Sequence, residues 1–129
     1  AYTVKPDYAI VLETTTACDF SGNDGEKRVC ELGKGCVVSY MDRSTIYDRE
    51  LYRLGFEKAK EINVPCQTKT LVAGGNDSGA IHSSVGGIRT VALSVPCRHL
   101  HSPSCMIKKS DVQSTAELAY AMYLALAEK

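Results

Sequence analysis

Apolar residues in this chain come in short runs, separated by polar and glycine-rich stretches, with two longer segments of helical period between them. Residues 8 to 14, Tyr-Ala-Ile-Val-Leu-Glu-Thr, form an apolar run that ends on a carboxylate. That pattern predicts a buried, parallel strand with Glu13 at its C-terminal edge. Residues 36 to 41 predict a second strand. Asp48 stands where a helix N-cap is expected, and Leu51, Leu54, Ala59 and Ile62 recur near helical spacing until Asn63 and Pro65 stop the helix. Gln67 to Ala73 alternates as a strand. The turn Gly74-Gly75-Asn76-Asp77-Ser78-Gly79 then opens a short helix to about Val85, and Thr90 to Val95 is a further buried strand closed by Pro96. Asp111 is expected to cap a last helix whose Val112, Thr115, Ala119, Met122 and Leu126 lie along one face.

The resulting order, β-β-α-β-α-β-α, predicts an α/β sandwich of helices on a mixed sheet. One feature strains that picture. The first strand starts almost at the chain terminus, and a buried strand needs neighbours on both sides. The expectation is therefore the later part of a longer fold.

Composition narrows the function more than the fold. The chain has 129 residues, enough for one compact unit. Fifteen basic residues balance fifteen acidic ones, so the surface lacks the excess positive charge that phosphate neutralisation requires. Neither nucleic acid nor a membrane surface is an expected partner. No apolar run approaches the roughly 18 residues of a membrane helix, and no signal-peptide pattern is visible. The six cysteines are under 5% of the residues and include no Cys-x-x-Cys pair, which predicts reduced, mostly buried thiols in a cytosolic protein, with disulfides as the minority reading.

Chemistry-bearing residues concentrate in Ser94-Val95-Pro96-Cys97-Arg98-His99-Leu100-His101-Ser102-Pro103-Ser104-Cys105, directly after a buried strand. Open α/β sheets collect their ligand-binding groups at such a place. In extended backbone His99 and His101 would point the same way, as metal ligands or as ordinary loop histidines bonded to the backbone. Cys97, His101 and Cys105 could alternatively make a small structural zinc site, although zinc favours four ligands and tight Cys-x-x-Cys knuckles. Glu13 is costly to bury unless paired or bound to a cation, and otherwise its strand tip simply reaches solvent. Asp19 could support a site or serve only its loop. The Gly74–Gly79 turn is either a backbone brought close to a substrate or a helix start capped by Asp77, and His82 is expected to pack rather than react.

Taken together, these segments resemble the glutamyl aminopeptidase and tetrahedral aminopeptidase family of dinuclear metallopeptidases, some members of which carry an endoglucanase annotation. Glu13-Thr14-Thr15 followed by Ala17-Cys18-Asp19-Phe20-Ser21-Gly22 is similar to one stretch of that family. Leu32-Gly33-Lys34-Gly35 with Met41-Asp42-Arg43-Ser44 is similar to the next. Gly74-Gly75-Asn76-Asp77-Ser78-Gly79-Ala80-Ile81-His82 resembles its Gly-Gly-Thr-Asp-Ala-Gly-Ala-Ile-His segment. Ser94-Val95-Pro96-Cys97-Arg98-His99-Leu100-His101-Ser102 resembles its Ser-Ile/Val-Pro-x-Arg-Tyr-x-His-Ser segment.

The resemblance implies a three-layer αβα sandwich, zinc-peptidase-like, present as the C-terminal portion of a catalytic domain over residues 1–129. It places an acidic metal ligand, Asp in many members, on Glu13, and the last histidine ligand on His101. His99 stands where members have Tyr and is not implied as a ligand. Gly75, Asn76 and Asp77 fall on the substrate-binding turn. The intact enzyme would carry two divalent metal ions, zinc or cobalt, remove N-terminal residues from a peptide substrate, and assemble as a homo-oligomer. Its early histidine, bridging aspartate and Glu-Glu pair are absent from this sequence. The chain by itself is thus expected to contain no catalytic base, to bind metal weakly or not at all, and to need the missing N-terminal part of the same protein for activity. A non-catalytic binding or assembly module on the same fold is the alternative.

Overall fold

A computed structural model describes residues 1–128. Its elements are β1 (Tyr8–Thr16), β2 (Cys36–Val38), α1 (Arg49–Glu61), β3 (Cys66–Thr68), α2 (Ser78–His82), β4 (Arg89–Cys97) and α3 (Lys109–Ala127), with 3₁₀ turns at Gly25–Arg28 and Ser84–Gly86. The order is the expected one. The sheet runs β1-β4-β2-β3, with β4 parallel to β1, antiparallel to β2, and β3 parallel to β2. The mixed sheet with helices on it agrees with the expected α/β class.

Alternation along β4 separates two unequal layers. Val91 and Leu93, with Cys36 and Val38, face Leu51 and Ala59 of α1 and Leu118 and Met122 of α3. Ala92, with Val11 and Tyr47, faces Ile81 of the short α2. Full burial of a side chain such as Leu118 or Met122 stabilises the fold by about 1.5–3 kcal/mol, so the thick layer is the main source of stability. The thin layer leaves room for a cavity.

Local signals explain the boundaries. Asp48 caps α1 as expected, its carboxylate accepting from Glu50 N (2.9 Å) and Leu51 N (3.0 Å). Arg89, at the start of β4, donates to the same carboxylate at 2.7 Å, tying helix to strand. Asn63 ends the helix in the left-handed region at φ 55°, and Val64 N closes the terminus on Ala59 O at 2.8 Å.

Five expectations need correction. The strand expected over 36–41 runs only over Cys36–Val38. β1 is an edge strand rather than a strand buried between neighbours: Leu12 is 59% exposed. The strand expected over 67–73 pairs only over Cys66–Thr68, because beyond Thr68 the chain leaves the sheet. Asp111 does not cap α3. It lies buried in the first turn, and its oxygens accept from Gly33 N (2.7 Å) and Gly35 N (3.0 Å). The buried face of α3 accordingly runs through Asp111, Ser114, Thr115, Leu118 and Met122, while Val112 is exposed. Gly35 permits that clasp: its φ is +81°, and a Cβ there would collide with Pro65 O.

Candidate functional site at the C-terminal ends of β1 and β4

β1 and β4 run in register from Tyr8↔Arg89 to Thr16↔Cys97, which sets Glu13 beside Ser94 near their C-terminal ends. Side chains on that face look into a cavity of about 410 Å³. Glu13, Ser94 and His101 line it, as do Gly75 and Asn76 from the turn before α2 and Asp42 and Lys69 from the segments after β2 and β3. Residues distant in sequence meet here because β1, β4 and the thin layer open on the same end of the sheet.

His101 reaches the cavity from a left-handed backbone at φ 63°, and His99 is also left-handed at φ 60°. The extended loop in which both rings would point the same way therefore does not form, and His99 is not among the lining residues. Ser102 Oγ donates to His99 O (2.6 Å) and Ser104 O (2.8 Å), which stabilises the kinked loop. At its root, Arg98 Nε donates to Asp19 Oδ1 at 2.6 Å, while Asp19 Oδ2 accepts from Leu32 N at 2.9 Å. The Arg98 guanidinium holds the Asp19 carboxyl below its ordinary range. Asp19 thus anchors the loop that carries His101.

The Gly74–Gly79 turn is organised by Asn76. Its Oδ1 accepts from Ser78 N at 2.8 Å, closing the helix start that the sequence assigned to Asp77. Asp77 is exposed, makes no side-chain capping bond and does not line the cavity. Asn76 Nδ2 donates to Tyr47 Oη at 3.0 Å, and Tyr47 in turn donates to Asp42 Oδ2 at 2.5 Å. Burial and that carboxylate push the Tyr47 hydroxyl up to about 12. Burial alone would raise Asp42, but hydrogen bonds from Tyr47, Ser44 and Thr45 outweigh it and leave the carboxyl below its usual range. Gly75 packs so closely that a Cβ would meet Ser44 Oγ at 2.8 Å. His82 packs as expected, its Nδ1 2.9 Å from Ser78 O.

Asp42 and Lys69 were missed as cavity residues. In the sequence Met41-Asp42-Arg43-Ser44 stands out only by its resemblance, and nothing local marks Asp42 as inward-facing. Lys69 donates to Ala73 O at 2.7 Å, and burial lowers its pKa. The alternation that suggested a longer strand over 67–73 hid its place in the cavity wall.

The donor set is incomplete for a metal. Among the described residues no three His, Cys, Asp or Glu side chains converge to hold an ion. Glu13 and His101 supply one carboxylate and one imidazole, whereas a catalytic zinc ordinarily takes three protein ligands. These residues alone do not fit a dinuclear centre. The Cys97, His101 and Cys105 zinc site does not assemble either, because His101 lines the cavity.

A mixed sheet under helices, with carboxylate, imidazole and a glycine turn at one strand end, defines an α/β fold with a cavity at its strand ends. The match to the family model for M42 glutamyl aminopeptidases spans residues 1–118, and the chain belongs to that family. It is 38% identical over 120 residues to a protein of Acetivibrio thermocellus described provisionally as an aminopeptidase, covering 92% of this chain and 35% of that one. The TET aminopeptidase of a marine sediment archaeon superposes with a TM-score of 0.89 at 30% identity, over 94% of this chain and 34% of that one. The Pyrococcus horikoshii TET1 peptidase, said to assemble into a tetrahedron or a large octahedral shell, gives 0.75 at 30% identity over 91% and 33%. The chain thus spans about a third of the length of the relatives it matches. No helix among the described residues is long and apolar enough to cross a membrane.

Proposed function

We propose that this chain is the C-terminal portion of the catalytic domain of a metal-dependent aminopeptidase, in which Glu13 and His101 each ligate one of two divalent ions. The observation that carries the reading is the cavity shared by Glu13, His101, Gly75 and Asn76 in a member of this family. Gly75 and Asn76 bind the peptide substrate there, held in shape by Tyr47 and Asp42. Asp77, exposed beside them, does not line the cavity and would meet only a substrate that extends past Asn76. Divalent ions held with ligands from outside this chain would supply Lewis-acid chemistry there. The base that moves the proton lies outside this chain, together with the remaining ligands. Homo-oligomerisation is carried over from the tetrahedral and octahedral assemblies of the Pyrococcus relative. Zinc or cobalt suits a mixed carboxylate and imidazole set. The cytoplasm is our reading of the cysteine pattern.

The test has two arms. The dialysed chain alone is expected to retain no stoichiometric zinc or cobalt by elemental mass spectrometry and to leave aminoacyl-nitroanilides intact. In the longer protein, Glu13→Ala and His101→Ala are each expected to lower kcat/KM at least about 100-fold and to reduce bound metal. Turnover by the repurified chain, or variants that keep both metal and activity, would overturn the proposal.

A further inference from the structure

Cys97 and Cys105 differ from the other four cysteines. Cys97 is the last residue of β4 and is buried. The next residue, Arg98, pairs antiparallel with Met106 through two backbone hydrogen bonds of 2.9 and 3.1 Å. The chain therefore loops out through His99–Ser104 and returns beside the end of β4, with Cys105 across from His99 and close to Cys97. Cys105 is exposed, and its thiol reaches His99 O at 3.4 Å, while the Cys97 thiol reaches Arg98 O at 3.4 Å. Burial, and next the adjoining Cys105 thiol, raise the pKa of Cys97.

Among the six cysteines only Cys105 is exposed; Cys18 and Cys66 are half-buried beside the buried Cys30 and Cys36. Cys36 and Cys66 are also neighbours, paired in register between β2 and β3. Cys36, however, is fully buried, and burial pushes its thiol up to about 12. Cys30 is similarly buried and raised to about 12. Such thiols stay protonated and out of reach of an oxidant.

We propose that Cys105 and Cys97 form a thiol–disulfide exchange site that takes glutathione-type low-molecular-weight disulfides and closes as a Cys97–Cys105 bond. Cys105 is the entry nucleophile because it alone of the pair meets solvent. Its thiolate attacks one sulfur of glutathione disulfide, the sulfur–sulfur bond breaks, and one glutathione thiolate leaves with the electron pair. Cys97 then gives up its proton, attacks the Cys105 sulfur and expels the second glutathione. Two protein thiols are oxidised, one glutathione disulfide is reduced to two glutathiones, and the two cysteine protons end on them. Cys97 is a poor nucleophile on its own, but contact with Cys105 makes the second step intramolecular at high effective concentration. The bond would brace the loop that carries His101 without requiring that histidine for its own chemistry, so the inference stands apart from the metal reading.

The test treats the native, reduced protein with oxidised glutathione, then denatures it in iodoacetamide and maps its peptides. The expected result is a Cys97–Cys105 cross-linked peptide, with these two of the six cysteines lost to alkylation and recovered by dithiothreitol. A Cys97→Ser variant is expected to stop at glutathione held on Cys105. Cys105→Ser, at an exposed position where folding is not at stake, is expected to leave Cys97 alkylatable. The proposal is overturned if wild-type Cys105 keeps its glutathione while Cys97 is alkylated. It is equally overturned if Cys105 does not react, or if the cross-link appears only when the protein is treated in urea.

Discussion

β4 and β1 are each nine residues long and lie side by side in parallel register, yet they are built for different ends. β4 has a strand on either side, and its residues from Thr90 to Ser94 are all buried. β1 is the sheet edge. It buries only Val11 and Thr15, and it leaves Leu12 exposed on one face and Glu13 half-buried on the other. The central strand is held by packing from both layers. The edge strand is held by β4 and by whatever its loops can reach, which leaves its carboxylate free to face a cavity.

Substitution makes that difference measurable. Leu93→Ala removes a side chain at 0% exposure in the thick layer and is expected to cost about 2–5 kcal/mol. Leu12→Ala, one strand away and paired with Leu93 in the register, is expected to change stability by less than about 0.5 kcal/mol. Urea midpoints of the two variants check this directly. Equal losses would mean that β1 is as buried in solution as β4, and the distinction between the strands would fail.

A second effect, next in size, lies on the other flank of β4. Asp111 reaches from α3 to two amides in the segment that leads into β2. Asp111→Ala leaves donors without partners beneath the helix and is expected to cost about 2–3 kcal/mol, read again from the urea midpoint. Asp111→Asn keeps an acceptor oxygen for only one of the two amides and should fall between. A loss below about 0.5 kcal/mol would show that packing alone holds this flank, as it holds the centre of β4.

These two positions also show what the sequence could and could not say. The apolar run at 90–95 announced β4, and Asp48 with its helical spacing announced α1, because those signals are local. The run at 8–14 announced a strand equally well, but nothing within it says whether a neighbour covers its far side. Asp111 stands where a cap would stand, and only the fold reveals that its partners are Gly33 and Gly35. The site divides in the same way. Glu13, His101, Gly75 and Asn76, which line the cavity, stand out in the sequence through strand ends, histidine spacing, a glycine turn and a family resemblance. Asp42 and Lys69 were not, since each is an ordinary polar residue until β2 and β3 bring it to the cavity. The Asp77 cap failed for a related reason: either Asn or Asp can close such a turn, and the structure gives the bond to Asn76.

The smallest expected effect concerns how the functional end of β1 is fastened. Past Thr16 the chain is held by Ala17, which packs with Cys30 and Val37 and whose N bonds Cys97 O at 2.8 Å, and by Asp19, which grips Arg98 at 2.6 Å. The folded pKa of Asp19 is lowered below its unfolded value of about 3.9. Its contribution is therefore complete above about pH 4 and is lost as pH falls through the lower, folded value. Hydrogen exchange, expressed as protection against intrinsic rates, should show Ala17 and Cys18 loosening on acidification before the amides of Val91 to Leu93 do. Asp19→Asn should weaken that end at neutral pH and remove most of its acid dependence, while leaving central β4 unchanged. If wild type and variant lose protection along the same pH curve, charge does not fasten β1, and the loop carrying His101 must be held by its backbone alone.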